Sequence, residues 1–215
     1  MEHACGYLKG LLLPAGQSLS LKDAYPSPVY QRAYCDVLGL GISPRPVGMS
    51  QVAGTLHKAA LLAGLTIVER KHYKLPAVYL PHGQEAMFDT ETKANLVIRN
   101  DKREPVWIQA ALLDKRSKLE IRIYGSPWVL ERPMDLKSSI VETYEPPKGV
   151  VYLELPTMRS GETRRVSAIP GFRVRVERIW CNLETNATRS EFLYEDTYEP
   201  QQETVYFCKG EAPKQ

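Results

Sequence analysis

The apolar and polar positions along the chain give one strong helical signal and many strand signals. Over residues 50–64, Val52, Leu56, Ala59, Ala60 and Ala63 recur at helical spacing on one face. Leu61, Leu62 and Leu65 fall on the other side, so the second half of this helix is predicted to be buried nearly all round. Upstream, residues 1–47 are rich in Pro, Gly and Tyr, and two short helical segments flank an extended piece at residues 11–20. Downstream the period changes to two. Strands are predicted over Leu65–Arg70, Pro76–Leu80, Asn95–Arg99, Val106–Leu113 and Leu119–Tyr124. In the last of these Leu119, Ile121 and Ile123 alternate with Glu120 and Arg122, and the last two strands read as a hairpin through residues 114–117.

Residues 131–149 contain Pro133, Pro146 and Pro147 and keep no period, so they are expected to be a linker. Beyond them Val151, Leu153 and Leu155 alternate with Tyr152 and Glu154. Phe172, Val174 and Val176 alternate with Arg173, Arg175 and Glu177, and further strands are predicted at Glu191–Tyr194 and Thr204–Phe207. Strands with one apolar and one charged face lie on a core with the other side in water. The expected class is therefore α+β: a central helix packed on an antiparallel sheet in residues 1–130, then a smaller all-β domain in residues 150–215.

At 215 residues the chain is long enough to bury a sizeable core. Its 28 Lys and Arg against 25 Asp and Glu leave a net charge of +3, and the signs are interspersed, so no nucleic-acid partner is expected. No apolar run approaches the roughly 18 residues of a membrane span, and no secretion signal stands at the start of this chain. Cys5, Cys35, Cys181 and Cys208 are scattered and form no Cys-x-x-Cys pair, so neither a metal nor a cofactor is expected. Cys181 and Cys208 each end a predicted strand, which leaves open a disulfide across a sheet or ordinary thiols.

Candidate chemistry gathers around the predicted helix. Ser50 at its mouth reads as an N-cap or as a nucleophile. Gln51 is a polar first-turn residue able to offer an amide to a ligand. His57 points the same way as Ser50 but about 10 Å further along the axis, which suits a semi-buried histidine better than a base. His82 precedes a glycine in a loop and reads as solvated. Trp107, Trp128 and Trp180 are able to stack on sugar rings or to fill a core. Arg173, Arg175 and Arg178 form a charged strand face that suits solvent or an anionic polymer.

Several strings occur in a telling order: Leu-Pro-Ala-Gly-Gln-Ser-Leu-Ser at 13–20, the block at 48–65, Ile-Val-Glu-Arg at 67–70, Pro-Ala-Val-Tyr-Leu-Pro at 76–81, Gly-Gln-Glu-Ala at 83–86 and Tyr-Glu-Asp-Thr-Tyr-Glu-Pro at 194–200. Together they resemble the VanW family, bacterial cell-envelope proteins first named from vancomycin-resistance gene clusters. The resemblance places the family's cysteine at Ser50, its histidine at Tyr73 with His72 beside it, and its aspartate at Glu85. A Cys at a helix end, then a His, then a carboxylate is also the order of transglutaminase-like and papain-like thiol enzymes. There the helix end lowers the thiol pKa, the imidazole takes the proton and the carboxylate holds the imidazole.

With Ser50, Tyr73 and Glu85 at those positions, the resemblance implies a non-catalytic envelope module. It would bind peptidoglycan or a wall-associated protein through a cleft near Ser50, with Gln51, Tyr73 and His57 as ligand-binding candidates. The enzymatic alternative is acyl transfer or hydrolysis by Ser50, His72 and Glu85. Against it, a one-residue shift on a strand turns His72 to the opposite face. A third reading is a structural or assembly protein offering a β edge to a partner strand.

Overall fold

The computed structural model describes residues 2–25, 34–35, 45–89, 92–114, 118–126, 131–155 and 158–210. Two compact units divide the chain. The first is Met1–Ser139 with Arg175–Glu195; the second is Ile140–Val174 with Asp196–Gln215. Mostly antiparallel sheets with few helices make up the described residues.

In the first unit α1 (Glu2–Leu8) leads into β1 (Leu11–Leu13), and β2 (Ser18–Ser20) runs into the single turn α2 (Leu21–Ala24). The Ser20 hydroxyl accepts from the Asp23 N–H, which explains why the extended piece stops there. Helix α3 spans Val47–Leu62. It buries Val52, Ala53, Leu56, Ala60 and Leu61. Its end is set by Gly64, whose φ of 68° is in the left-handed region. There the Gly64 N–H bonds the Leu61 carbonyl and the Leu65 N–H bonds the Ala60 carbonyl, a Schellman closure.

Strand β7 (Val106–Leu113) lies between β1 and β8 (Lys118–Tyr124), antiparallel to both. Val106, Ile108 and Ala110 turn to the core while Trp107 and Ala111 turn outward, as a period of two requires. A second sheet orders β2, β6 (Val97–Arg99) and β5 (Thr66–Glu69), with an irregularity between Ile67 and Glu69. Strands β3 (Tyr34–Cys35) and β4 (Arg45–Pro46) form a short pair. Helix α3 packs on β8, β5, β3 and α1, and Leu8, Leu13, Leu19, Leu96, Ile98 and Ile108 join it in one core.

Strands β9 (Glu131–Tyr144), β12 (Gly171–Asn182) and β13 (Thr188–Tyr198) form a sheet of order β13-β12-β9, and each contributes residues to both units. In the second unit β14 (Glu203–Cys208) pairs in parallel with β10 (Val150–Leu155) and antiparallel with β11 (Thr163–Val166). The rings of Phe172 and Tyr198 pack there at 5.0 Å.

Three expectations change. Residues 131–144, expected as part of a linker, are strand β9. As an outer strand of its sheet, β9 tolerates the missing N–H of Pro133, and its polar composition hid the alternation. The predicted strand Pro76–Leu80 is irregular chain with a turn. Helix α3 begins at Val47, three residues before Ser50. The predicted hairpin of residues 106–124 is present with Ile108 opposite Ile123 and Ala110 opposite Ile121; residues 115–117 of its loop lie outside the described residues.

Candidate functional site

Because α3 starts at Val47, Ser50 sits inside the first turn rather than at the cap. Its hydroxyl is buried and reaches across to the chain segment at Phe88. It donates to the Phe88 carbonyl at 3.1 Å and accepts from the Phe88 N–H at 3.3 Å. A hydroxyl has one proton to give, and here that proton goes to a backbone oxygen. The serine therefore acts as a two-way strap between helix and loop. Its own carbonyl accepts a hydrogen bond from the Tyr79 hydroxyl at 3.0 Å.

Tyr79 is the residue that covers this end of α3. It fits because position 54 is glycine: a Cβ on Gly54 would lie 3.0 Å from Leu80 Cδ1 and 3.1 Å from the Tyr79 hydroxyl. Tyr73, at the position the resemblance gives to a histidine, hydrogen-bonds Tyr79 through its side chain, and the carboxylate of buried Glu85 lies within electrostatic reach. Burial first, then Tyr73 and Glu85, push the Tyr79 hydroxyl well above the ordinary tyrosine range. It stays protonated and remains a donor.

One turn-pair down the helix, His57 is fully buried and its Nδ1–H donates to the Gln84 carbonyl at 2.8 Å. Burial above all, and then the nearby Arg70 charge, hold its pKa down at about 3. Arg70 follows β5 and donates through Nε to the Glu85 carbonyl at 2.7 Å and through Nη2 to the Gly83 carbonyl at 2.9 Å. Its guanidinium lies 4.6 Å from the centre of the Tyr194 ring, whose hydroxyl also donates to Gly83 O at 2.9 Å. All three consecutive carbonyls of Gly83, Gln84 and Glu85 are thus held by side chains from α3, from the end of β5 and from β13. The Gln84 amide continues the network to Ser138 Oγ at 3.0 Å.

Ser50, Tyr73 and Glu85 are therefore brought into one network, with Tyr79 as the bridge. His72 is not joined to Ser50 by any hydrogen bond among the described residues. Its Nδ1 lies 2.7 Å from the carbonyl of its neighbour Tyr73. Gln51 is half-buried and offers its main-chain carbonyl to the Thr55 hydroxyl, while His82 is exposed. Arg70, Tyr79, Gln84 and Tyr194 belong to the same network. They lie inside the strings that carried the resemblance, but nothing in their spacing marks them as partners.

The remaining expectations separate cleanly. Trp180 is clamped: its indole N–H bonds the Glu191 carboxylate at 2.5 Å, with the Arg178 and Arg189 guanidinium groups 5.2 and 5.0 Å from the ring centre. Trp107 is half-exposed, and Trp128 lies outside the described residues. Arg178 is buried and donates to the Leu61 carbonyl at the end of α3, whereas Arg173 pairs with Glu142 and Arg175 with Glu195. The disulfide left open for Cys181 and Cys208 is absent, because both are free thiols. Among the described residues no three His, Cys, Asp or Glu side chains gather to hold a metal, and no helix is long and apolar enough to cross a membrane.

A family model described as VanW like protein matches residues 1–124. The chain belongs to that family, which is associated with vancomycin resistance. The match takes in α1 through β8, including the Ser50, Tyr73, Tyr79 and Glu85 network. A comparison with curated proteins finds no match.

Proposed function

We propose that this protein is a non-catalytic VanW-like module of the cell envelope that binds peptidoglycan or a wall-associated partner. The observation that carries the non-catalytic half is the Ser50 hydroxyl, bonded in both directions to the Phe88 backbone. A serine nucleophile needs a base on its proton and donors for the oxyanion. Here the neighbouring groups are two tyrosines and a buried carboxylate, and the Ser50 hydroxyl is bonded to none of them: its hydrogen bonds go to the Phe88 backbone. His57, the histidine on the same helix, is held neutral and spends its N–H on Gln84. Membership of the VanW family supports the envelope and wall half of the reading.

The test is a pair of measurements on the full chain. A fluorophosphonate probe is expected to leave Ser50 unlabelled, and purified cell-wall sacculi are expected to sediment the wild type and Ser50→Ala alike. Labelling that disappears in Ser50→Ala would overturn the non-catalytic assignment. Failure of the folded wild type to sediment with sacculi would overturn the wall assignment.

A further inference from the structure

Away from the buried network, the sheet β1-β7-β8 turns an ordered, half-exposed face to solvent. Leu12, Trp107 and Tyr124 stand side by side across it: Leu12 is opposite Trp107 and Trp107 is opposite Tyr124. Their exposures are 52%, 49% and 51%, large for three apolar side chains in one row. The next row places Gln109 opposite Arg122, and the one after places Ala111 opposite Glu120. Arg122 pairs with Glu120 at 2.9 Å and hydrogen-bonds Tyr124. The rim beside Trp107 and Gln109 is kept low by Gly10, where a Cβ would sit 3.8 Å from the indole nitrogen and where a φ of 79° disfavours any side chain.

Three features select the occupant. Neighbouring strands lie about 4.8 Å apart, so the directly opposed Trp107 and Tyr124 place two exposed aromatic side chains next to each other, with Leu12 beside Trp107. Planar polar groups lie alongside, Gln109 and Arg122 one row away and Glu120 in the row after, where they can meet the hydroxyl and acetamido groups of a sugar. The two charges among them are already paired with each other, which suits an uncharged ligand rather than an ionic one. The three apolar side chains expose on the order of 400 Å², about half of the ~800 Å² that each partner contributes to a specific protein interface.

We infer that this face is a glycan-binding platform, on which an extended chain of N-acetylated hexoses runs across the strands with its rings stacked on Trp107 and Tyr124. The inference rests on the wall-binding reading for the origin of the glycan and on the sheet geometry for the place. Stacking uses the apolar C–H face of each sugar, and the row of Gln109 and Arg122 reads its substituents.

The experiment titrates the full chain with chitohexaose and with sacculi, comparing wild type, Trp107→Ala, Tyr124→Ala, Gln109→Ala and the control Phe192→Ala. Phe192 is an exposed aromatic on β13, off this face. The expected result is quenching or shift of tryptophan emission by chitohexaose in the wild type. Affinity should fall at least tenfold in Trp107→Ala and severalfold in Tyr124→Ala and Gln109→Ala, with Phe192→Ala unchanged. Circular dichroism of each variant confirms that the fold is intact; the positions are solvent-facing. Unaltered sacculus binding in folded Trp107→Ala would overturn the platform and leave the wall-binding reading standing. Binding of chitohexaose that Trp107→Ala abolishes, without binding to sacculi, would support the platform and overturn the wall reading. No binding of either ligand by the wild type would overturn both.

Discussion

His57 makes the stability of the first unit depend on pH in a direction that the structure fixes. In the unfolded chain the imidazole titrates near 6.5, whereas in the fold burial and the Arg70 charge hold it near 3. Below pH 6.5 the unfolded chain takes up a proton that the folded chain refuses. Stability is therefore complete above pH 6.5 and falls as the pH drops through the window from 6.5 toward 3. At pH 5, one and a half units below the ordinary value and at roughly 1.4 kcal/mol per unit, the loss is about 2 kcal/mol. That is a sizeable part of the 5–15 kcal/mol typical of a domain.

The perturbation is His57→Asn, whose side-chain amide can still donate toward the Gln84 carbonyl but does not titrate. Urea unfolding at about pH 8, 6.5 and 5 measures both proteins. The variant is expected to be weaker at pH 8, because an imperfect bond to a buried carbonyl costs about 1–3 kcal/mol. The wild type is expected to lose about 2 kcal/mol more than the variant between pH 8 and 5. Carboxylates contribute equally to both proteins and cancel in the difference. Parallel pH profiles, agreeing within about 0.5 kcal/mol, would refute the reasoning, because the histidine would then carry its proton in the fold.

Gly54→Ala reverses the usual gain of about 1 kcal/mol for alanine in a helix, since the new methyl meets Leu80 at 3.0 Å and the Tyr79 hydroxyl at 3.1 Å; a lower Tm is expected, and a higher one would show that Tyr79 does not rest on the helix. Arg178→Ala removes the donor to the Leu61 carbonyl, the pairing with Glu191 and the stack on Trp180. The expected cost is about 2–3 kcal/mol in urea unfolding with a shift of Trp180 emission. Arg178→Lys should restore less than half of the loss, because a single ammonium does not span the helix carbonyl and the carboxylate together.

Much of the fold follows from period alone. The alternation of β8 and the apolar run before it were enough to read a hairpin over residues 106–124, whose register the structure supplies, and the apolar stripe from Val52 to Ala63 announces α3. The family strings mark where the network lies, because they bring Ser50, Tyr73 and Glu85 into a fixed order. The start of α3 and the role of Ser50 were not legible. A serine at a predicted helix mouth reads as a cap, and only the position of Phe88, 38 residues later, shows where its hydroxyl goes. Strand β9 was hidden for a related reason: an outer strand with much of its surface in water needs no apolar alternation, so its polar residues and Pro133 imitate a linker.

The sequence by itself determined the local periods, the sparse and unclustered cysteines, and the family to which the chain belongs. Tertiary structure alone decided which polar groups meet. It placed Arg70, His57 and Tyr194 on three consecutive carbonyls, let Tyr79 lie over Gly54, set Trp180 between two arginines and left Trp107 beside Tyr124 in the open. Periodicity is a property of neighbours along the chain, whereas a hydrogen bond or an exposed ring depends on residues that approach only when separate elements pack.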